Sequence, residues 1–303
     1  MAKKVVFLRP LSAGQYATML TVIVVPFLAL ILAFVFIRPS GLNIGIFISG
    51  WLITGFGITI GYHRYFTHGG FETSPAFEVY LGVTGLMSWM GTIREWVTNH
   101  LAHHEHSDTA QDLHSPHVQG EDNFGVFSGL VHAHIGWMLK YRMTNGVDYL
   151  PIRISENKTI KILDKLLPLW LGLSLAIPPI MGGMITQSWH GIWTAFVWGS
   201  LVRICFVHHI TWCVNSVCHL WGSRPFKKTR DLSRNNIALA ILALGEGSHN
   251  CHHRFIRSPK HGLLSGQIDP SWWVIRFFEI IGVVWKASEK VPSEERIKSA
   301  LAE

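Results

Sequence analysis

Long stretches of the chain carry no charge, and they dictate the medium in which it folds. Between Arg9 and Arg38 lie 28 residues without Asp, Glu, Lys or Arg, and between Arg38 and His63 another 24. Each exceeds the roughly 20 apolar residues an α-helix needs to cross a bilayer. A third charge-free stretch, residues 166–202, is 37 residues long. It begins a second pair of spans that turns near residues 186–190 and continues through Arg203 to about Cys213. The expected spans are therefore about 15–37, 43–62, 167–185 and 191–212, arranged as two hairpins. A soluble protein with buried core helices does not fit 37 consecutive uncharged residues.

The remaining charges orient the chain. Lys3, Lys4 and Arg9 precede the first span, which places the N-terminus on the inner side. Two hairpins then return residues 63–165 and 213–303 to that side. Together with the N-terminus these segments hold 24 of the 26 Lys and Arg and all 19 carboxylates. The exceptions are Arg38, at a span end where it can snorkel, and Arg203. An arginine inside a span costs about 2.5–3.5 kcal/mol on insertion scales, so Arg203 is expected to face protein or lie near the inner end. The first apolar run is too long for a cleavable signal peptide. Glycines at 41, 45, 50, 55, 57 and 61 suggest close helix contact along the second span.

The inner segments are not hydrophilic loops. Residues 79–93 and 124–139 are apolar but too short to span. Residues 271–285 mix Trp272, Trp273, Arg276 and Glu279 into an apolar run, as a helix in the membrane interface or a packed cap helix does. The expected architecture is an all-α membrane protein, one domain over residues 1–303. It has four transmembrane helices in two hairpins and a helical cytoplasmic cap, residues 63–165 and 213–303, partly sunk into the bilayer. Both termini are expected to be cytoplasmic.

Against this apolar background stand 18 His, almost as many as the carboxylates. Nine fall into four spaced clusters on the inner side. His63 and His68 form HxxxxH at the end of the second span. His100, His103 and His104 form HxxHH. Asn215 and His219 form NxxxH just past the fourth span. His249, His252 and His253 form a second HxxHH. On a helix, positions i, i+3 and i+4 share a face, so each HxxHH is expected to aim three imidazoles at one spot. His63 and His68 are about 140° apart on an ideal α-helix and converge only if the helix ends or bends between them.

A single structural zinc site closes with four ligands, and nine His with one Asn are too many for that. Two metal ions, each with four or five ligands and one water held by Asn215, fit the count. Imidazole suits Zn, Cu, Fe and Ni; the all-nitrogen set is consistent with non-haem iron. Only four Cys are present and none is in a CxxC pair, which excludes a disulfide scaffold.

Several segments resemble the membrane-bound fatty acid desaturases of the stearoyl-CoA type. GYHRYFTH at 61–68 resembles the first histidine box of that family, and EWVTNHLAHHEHSDTAQDLHSP at 95–116 its second. HHITWCVNSVCHLWGSRPF at 208–226 is similar to the family's T-W-x-V-N-S-x-x-H segment. GEGSHNCHH at 245–253 resembles the last box, and KHGLLSGQIDPSWWVI at 260–275 the tail of bacterial members. The resemblance runs from about residue 15 to 285. It implies a cytoplasmic cap holding a histidine-rich di-iron centre, and a narrow acyl tunnel. By resemblance the iron ligands are His63, His68, His100, His103, His104, His219, His249, His252 and His253, with Asn215 contributing through a water. The second box departs from H-R-x-H-H: Leu101 and Thr98 stand where many relatives carry Arg, which leaves the headgroup of the substrate open.

The resemblance further implies an O₂-dependent enzyme using two Fe²⁺ ions to introduce a cis double bond, at Δ9, into an acyl-CoA or acyl-lipid. No nucleotide, haem or ferredoxin motif is present, so electrons are expected from an external carrier of ferredoxin, rubredoxin or cytochrome b5 type with its reductase. After residue 212 there are 13 Lys and Arg against 8 Asp and Glu, a surplus that suits an acidic carrier or anionic phospholipid. The other expected partners are the lipid bilayer and the fatty acyl substrate, with no nucleic acid; the expected location is the bacterial inner membrane. Rival readings are a membrane di-iron fatty acid hydroxylase or alkane monooxygenase, and a histidine-rich metal transporter. His106, His114, His117, His132, His190 and His261 are not expected to be ligands. A structural role is expected for His134, and a supporting or packing role for His208 and His209. Cys251 reads as a spacer. Glu246 could hydrogen-bond a ligand His, and Asp108 and Asp112 could do likewise or cap helices.

Overall fold

The computed structural model describes residues 4–303. Among the described residues, twelve helices of six residues or more organise the fold, and short polar caps start most of them. Ser12 and Gln15 form a capping box for α1, Ala13–Phe36, and Ser40 and Asn43 form another for α2, Gly41–Thr67. Helix α3 (Pro75–Leu86) is capped by Ser74 and α4 (Ile93–His106) by Thr92. Helix α5 begins at Val126–Val131 and runs through π-helical His132–Gly136 into Trp137–Lys140. Then follow α6 (Lys158–Lys165), α7 (Leu167–Thr186) and α8 (Trp189–Leu220). The short helices α9 (Ile237–Leu242) and α10 (His249–Arg254) precede α11 (Pro270–Ile280) and α12 (Glu294–Ala302). Strands are confined to three two-stranded antiparallel ribbons, among them Leu8–Pro10 with Tyr141–Met143 and Glu72–Thr73 with Val284–Trp285.

Helices α1, α2, α7 and α8 are long and apolar enough to cross a membrane. Their outer faces leave large apolar side chains open, with Phe34 73%, Phe36 75%, Met184 70% and Trp189 85% exposed. A soluble monomer does not carry an apolar surface of this kind; this is a membrane protein. The starts of the spans match the sequence expectation closely, but α2 and α8 run on past 62 and 212 to Thr67 and Leu220. The histidine-bearing turns are continuous with these two helices, where Glu246, Asp269 and Asp108 partner His63, Arg64 and His219.

Helix α8 is the axle, since α1, α2, α5 and α7 all pack on it. Helix α7 lies against its beginning, Gly182 against Gly191 and Ala195. Helix α1 also packs on α8: the Trp198 indole N–H donates to the Ile37 carbonyl at 3.0 Å, and Phe34 meets Trp198 edge-on at 5.6 Å. Arg203 faces protein, as its cost in lipid requires. Its buried guanidinium donates to the carbonyls of Gly199 (3.2 Å), Met87 (3.3 Å) and Ser174 (3.3 Å) and to the Ser174 hydroxyl (2.7 Å). One cation thereby ties α7, α8 and the turn after α3 together through carbonyl dipoles.

The glycines of α2 divide. Gly41 and Gly45 face open space. A Cβ on Gly57 would meet the Thr84–Gly85 backbone at 2.4 Å, and one on Gly61 the Leu81 carbonyl at 2.9 Å. So α3, the first of the short apolar runs, lies backbone-to-backbone on the end of α2. Around that contact sits the largest core cluster, with Tyr62, Phe66, Leu81, Ile93, Ile160 and Ile275. Helix α11 buries Ser271 and Ile275 there, while Trp273, Phe277 and Ile280 remain 56–74% exposed on its other side. It is both a packed helix and one with an open apolar face.

Gly57→Ala forces α2 and α3 apart and should cost about 1–3 kcal/mol as an overpacked site. Thermal unfolding in detergent should show a lowered midpoint for Gly57→Ala and an unchanged one for Gly41→Ala.

Candidate metal centre

The first box sits on π-helical turns, Gly57–Thr67, at the end of α2. A π-helix bonds residue i+5 back to residue i, and the His68 N–H donates to the His63 carbonyl at 3.1 Å. This wider winding replaces the bend expected from α-helical spacing. It brings His63 and His68 together on one side, the rings edge-on with centroids 4.9 Å apart. The second box occupies the last two turns of α4, His219 the last turn of α8, and the last box the short helix α10. Asn250 pins α10 in place: its side chain accepts from the Phe226 N–H at 2.9 Å, and its own N–H donates to Asn235 at 2.9 Å.

The nine box histidines converge, but not as the spacing suggests. They separate into two groups whose ligand atoms each lie within 4.8 Å of one another: His63, His68, His100, His104 and His252, and His103, His219, His249 and His253. Each HxxHH is therefore divided between the groups, not aimed at one spot. Residues i and i+4 are about 40° apart on a helix, whereas i+3 lies about 100° from i+4. His100 and His104 stay together and His103 turns to the other group; His249 and His253 stay together and His252 turns away. Two boxes, each serving both groups, hold the groups side by side. Asn215 lies one turn before His219 on α8, half-buried.

Ring nitrogens face each other in both groups. His63 Nε2 lies 3.0 Å from His252 Nε2, His252 Nε2 3.0 Å from His104 Nε2, and His104 Nε2 2.9 Å from His100 Nε2. In the second group His219 Nε2 is 3.0 Å from His249 Nε2. Two nitrogens bound at about 2.1 Å to one ion, about 90° apart, are themselves about 3.0 Å apart. His68 Nε2 and His253 Nε2 are buried with no hydrogen-bond partner in the protein. These nitrogen-only sets fit divalent ions of the borderline metals.

Four carboxylates hold the rings from behind. Glu246 meets His63 Nδ1 at 2.5 Å, Asp112 His103 Nδ1 at 3.0 Å, Asp108 His219 Nδ1 at 2.9 Å and Asp231 His253 Nδ1 at 2.7 Å. An Nδ1–H given to a carboxylate fixes the tautomer and turns the Nε2 lone pair inward. Asp108 reaches its position with φ 57°, a left-handed conformation Asp tolerates better than most residues. Burial pulls its carboxyl upward, but the charge and hydrogen bond of His219 win and leave it at about 2. In Glu246 the opposing pull of burial is likewise overcome, by His63, His261 and Arg64. Burial, with neighbouring imidazoles adding to it, drives His68, His100, His104, His249 and His252 well below the ordinary histidine value. Neutral imidazoles against ionised carboxylates leave negative charge that bound cations offset.

Glu246 does hydrogen-bond a box histidine, though His63 across the fold instead of nearby His249, and Asp108 and Asp112 take the same part. Asp231 escaped the sequence reading. It lies 22 residues before His253 in an irregular loop, and no periodicity links the two. His261 and His114, set aside from sequence, lie against the centre. His261 packs on His252, centroids 4.4 Å apart, with Nδ1 3.5 Å from Glu246. His114 stacks on His103 at 4.3 Å. Arg64 is fully buried and joins Asp269 (3.0 Å) to Glu246 (3.5 Å). A side chain on Gly245, at φ 111°, would strike Asp269. Elsewhere His208 Nε2 lies 3.0 Å from the Ser88 carbonyl and His134 Nε2 2.9 Å from His209, apart from both groups. Buried Cys251 lies 3.2 Å from the Asn235 amide.

Fold and site together define a membrane protein with two adjoining histidine groups able to hold metal ions. The fatty acid desaturase family model matches residues 39–264. The chain is 38% identical over 262 residues to hex-5-enoyl-[acyl-carrier protein] acetylenase of Moorena producens, covering 86% of this chain and 80% of that one. It is 34% identical to sn-1 stearoyl-lipid 9-desaturase of Anabaena variabilis over 77% of this chain and 79% of that one. It is 31% identical to Delta-9 acyl-lipid desaturase 1 of Arabidopsis thaliana over 90% and 82%. The chain belongs to the fatty acid desaturase family. It is an oxidoreductase that acts on fatty acyl chains.

Asp231→Asn should leave the chain folded and lower metal affinity of the four-histidine group 10–100-fold, as loss of a carboxylate behind a ligand does. Competition with a chelator, read as metal retained per chain, measures it.

Proposed function

We propose that this chain introduces a cis double bond, at Δ9, into the saturated acyl chain of a lipid or acyl-CoA, using O₂ and external electrons. In this reading the nine box histidines bind two irons, five around one and four around the other, and Asn215 contributes to the second through a water. A bound iron pair would activate O₂, the oxidant of the overall reaction –CH₂–CH₂– + O₂ + 2e⁻ + 2H⁺ → –CH=CH– + 2H₂O. The carboxylates Glu246, Asp112, Asp108 and Asp231 keep the imidazole tautomers fixed throughout.

The observation that carries the proposal is the pair of adjoining histidine groups, five and four, with carboxylates behind the rings, in a chain of the fatty acid desaturase family. A small apolar pocket lies beside it, between α2, α8 and the segment after α9. Trp51, Gly55, Ile58, Val207, Ile210 and Val214 line it, and Glu246, the partner of His63, closes one end. In this reading an acyl chain packed along this apolar seam would gain about 0.8 kcal/mol per buried methylene, and the carbons beside the centre would be chosen by placement. Trp51 meets Phe206 edge-on at 5.6 Å, and Phe206 meets Phe47 at 5.2 Å, so aromatic rings back the wall at Trp51.

The Anabaena and Arabidopsis relatives, named as acyl-lipid desaturases acting at position 9, support the Δ9 acyl-lipid reading. The second box supports it too: Leu101 packs on the apolar core and Thr98 lies against Gly146, so neither offers charge to a CoA headgroup. We further assign the chain as a single domain in a bacterial inner membrane, with two hairpins, both termini and the histidine cap cytoplasmic, and a ferredoxin, rubredoxin or cytochrome b5 type carrier as donor. A second reading has one observation in its favour. The Moorena relative is named as an acetylenase acting on a carrier-protein-bound chain, so the same centre could act on an acyl-carrier-protein ester or an existing double bond.

Expression in a host lacking unsaturated fatty acids, with double bonds located by mass spectrometry, tests the proposal. A new cis-Δ9 olefin is expected, and none from membrane-inserted His104→Ala. Hydroxylated acids without olefin, or retained activity in His104→Ala, would overturn it. A triple bond would favour the second reading.

A further inference from the structure

A second, open cleft of about 360 Å³ begins at Arg254, the residue after the last histidine of the last box. Arg254, Arg257, Lys290 and Arg296 surround it, with Phe255 and Pro292 between them, and no carboxylate lines it. Among the described residues, the one carboxylate within ion-pair distance of these cations is Glu303, 2.7 Å from Arg254. Arg254 and Arg296 both lie over the Phe255 ring, 6.0 and 5.5 Å from its centroid. Arg257, Arg296 and Ile256 are exposed, so the patch has charged groups around an apolar centre.

What lies beneath this patch matters more than its charge. Arg254 and Phe255 directly continue the last box, following His252 and His253. Lys290 Nζ donates to the Gly69 carbonyl at 2.7 Å, the residue after His68. Arg153, beside it, donates to the Phe66 and Thr67 carbonyls at 2.5 and 2.8 Å. The cleft is thus built on the main chain of two segments that carry box histidines. A partner seated there would contact the residues that follow His253 and the cation bonded to the residue after His68.

We propose that this cleft is the docking surface for an acidic electron-carrier protein, and that electrons enter the centre at its His68 and His252–His253 edge. The inference rests on the desaturase reading, whose balance needs two electrons from outside. The carrier loses one electron at each encounter, and two encounters supply one double bond. Concentrated positive charge steers an acidic partner and makes its association sensitive to salt. A concave site on the ligand-bearing main chain suits a protein that must approach the centre; attraction to an anionic lipid surface needs no such proximity.

The double charge reversal Arg257→Glu with Arg296→Glu tests this in full-length enzyme in nanodiscs. A [2Fe–2S] ferredoxin, a rubredoxin and soluble cytochrome b5 serve as reduced probes. For the probe that best supports the unsubstituted enzyme, the variant should raise KM at least tenfold, leave kcat at saturation within twofold and flatten the salt dependence. Turnover driven by dithionite through a small uncharged mediator should be unchanged, as should KM for the acyl substrate. An unchanged KM for the carrier overturns the proposal. So does an equal fall in mediator-driven turnover, a rise confined to the acyl-substrate KM, lost binding to phosphatidylglycerol vesicles alone, or failure of all three carriers to support or bind the unsubstituted enzyme. Absence of mediator-driven product from the unsubstituted enzyme would instead count against the desaturase reading itself.

Discussion

Everything in this molecule is arranged around nine imidazoles packed nitrogen to nitrogen, and that arrangement is stable only with its electrostatics answered. Lone pairs 3.0 Å apart repel unless a proton or a cation lies between them. Four ionised carboxylates behind the rings fix which nitrogen faces inward and supply the charge that cations balance. Burial depresses proton affinity of the inner rings and so favours metal over proton. Each partner depends on the others, and the surrounding helices serve to hold them in register.

The membrane spans do that holding. Helices α2 and α8 leave the apolar stretch without breaking and carry His63, His68 and His219 to a common end. Close glycine contact sets α3 against α2. Arg203 fastens α7, α8 and the turn after α3 without a counter-ion, by spreading its charge over carbonyls. A small apolar pocket between α2 and α8 lies toward the same end, with Glu246 in its wall. Membrane embedding and the histidine cluster are one construction, since the apolar helices α2 and α8 also carry box histidines.

Much of this was legible in the sequence because the signals are local. Four spans follow from charge-free runs, and the box residues follow from short spacings on helices. What escaped was set by long-range or non-standard geometry. The π-helical winding that unites His63 with His68 leaves no mark in a pattern read at 3.6 residues per turn. The division of each HxxHH between two groups depends on where the other boxes stand, which spacing within one box does not encode. Asp231 meets His253, and Glu246 meets His63, through loops with no period to read. His261 and His114 look ordinary in isolation and acquire meaning only from their contacts.

The central claim is that two metal ions share the nine histidines, five and four. Anaerobic Fe²⁺ titration of metal-free protein, with iron per chain counted after desalting, tests it most directly. The account predicts two ions per chain in the unsubstituted protein. It predicts one in a His100→Ala, His104→Ala variant and one in a His249→Ala, His253→Ala variant, each with the other group still loaded. One ion per chain in the unsubstituted protein, or loss of both ions from either variant in folded protein, would contradict it.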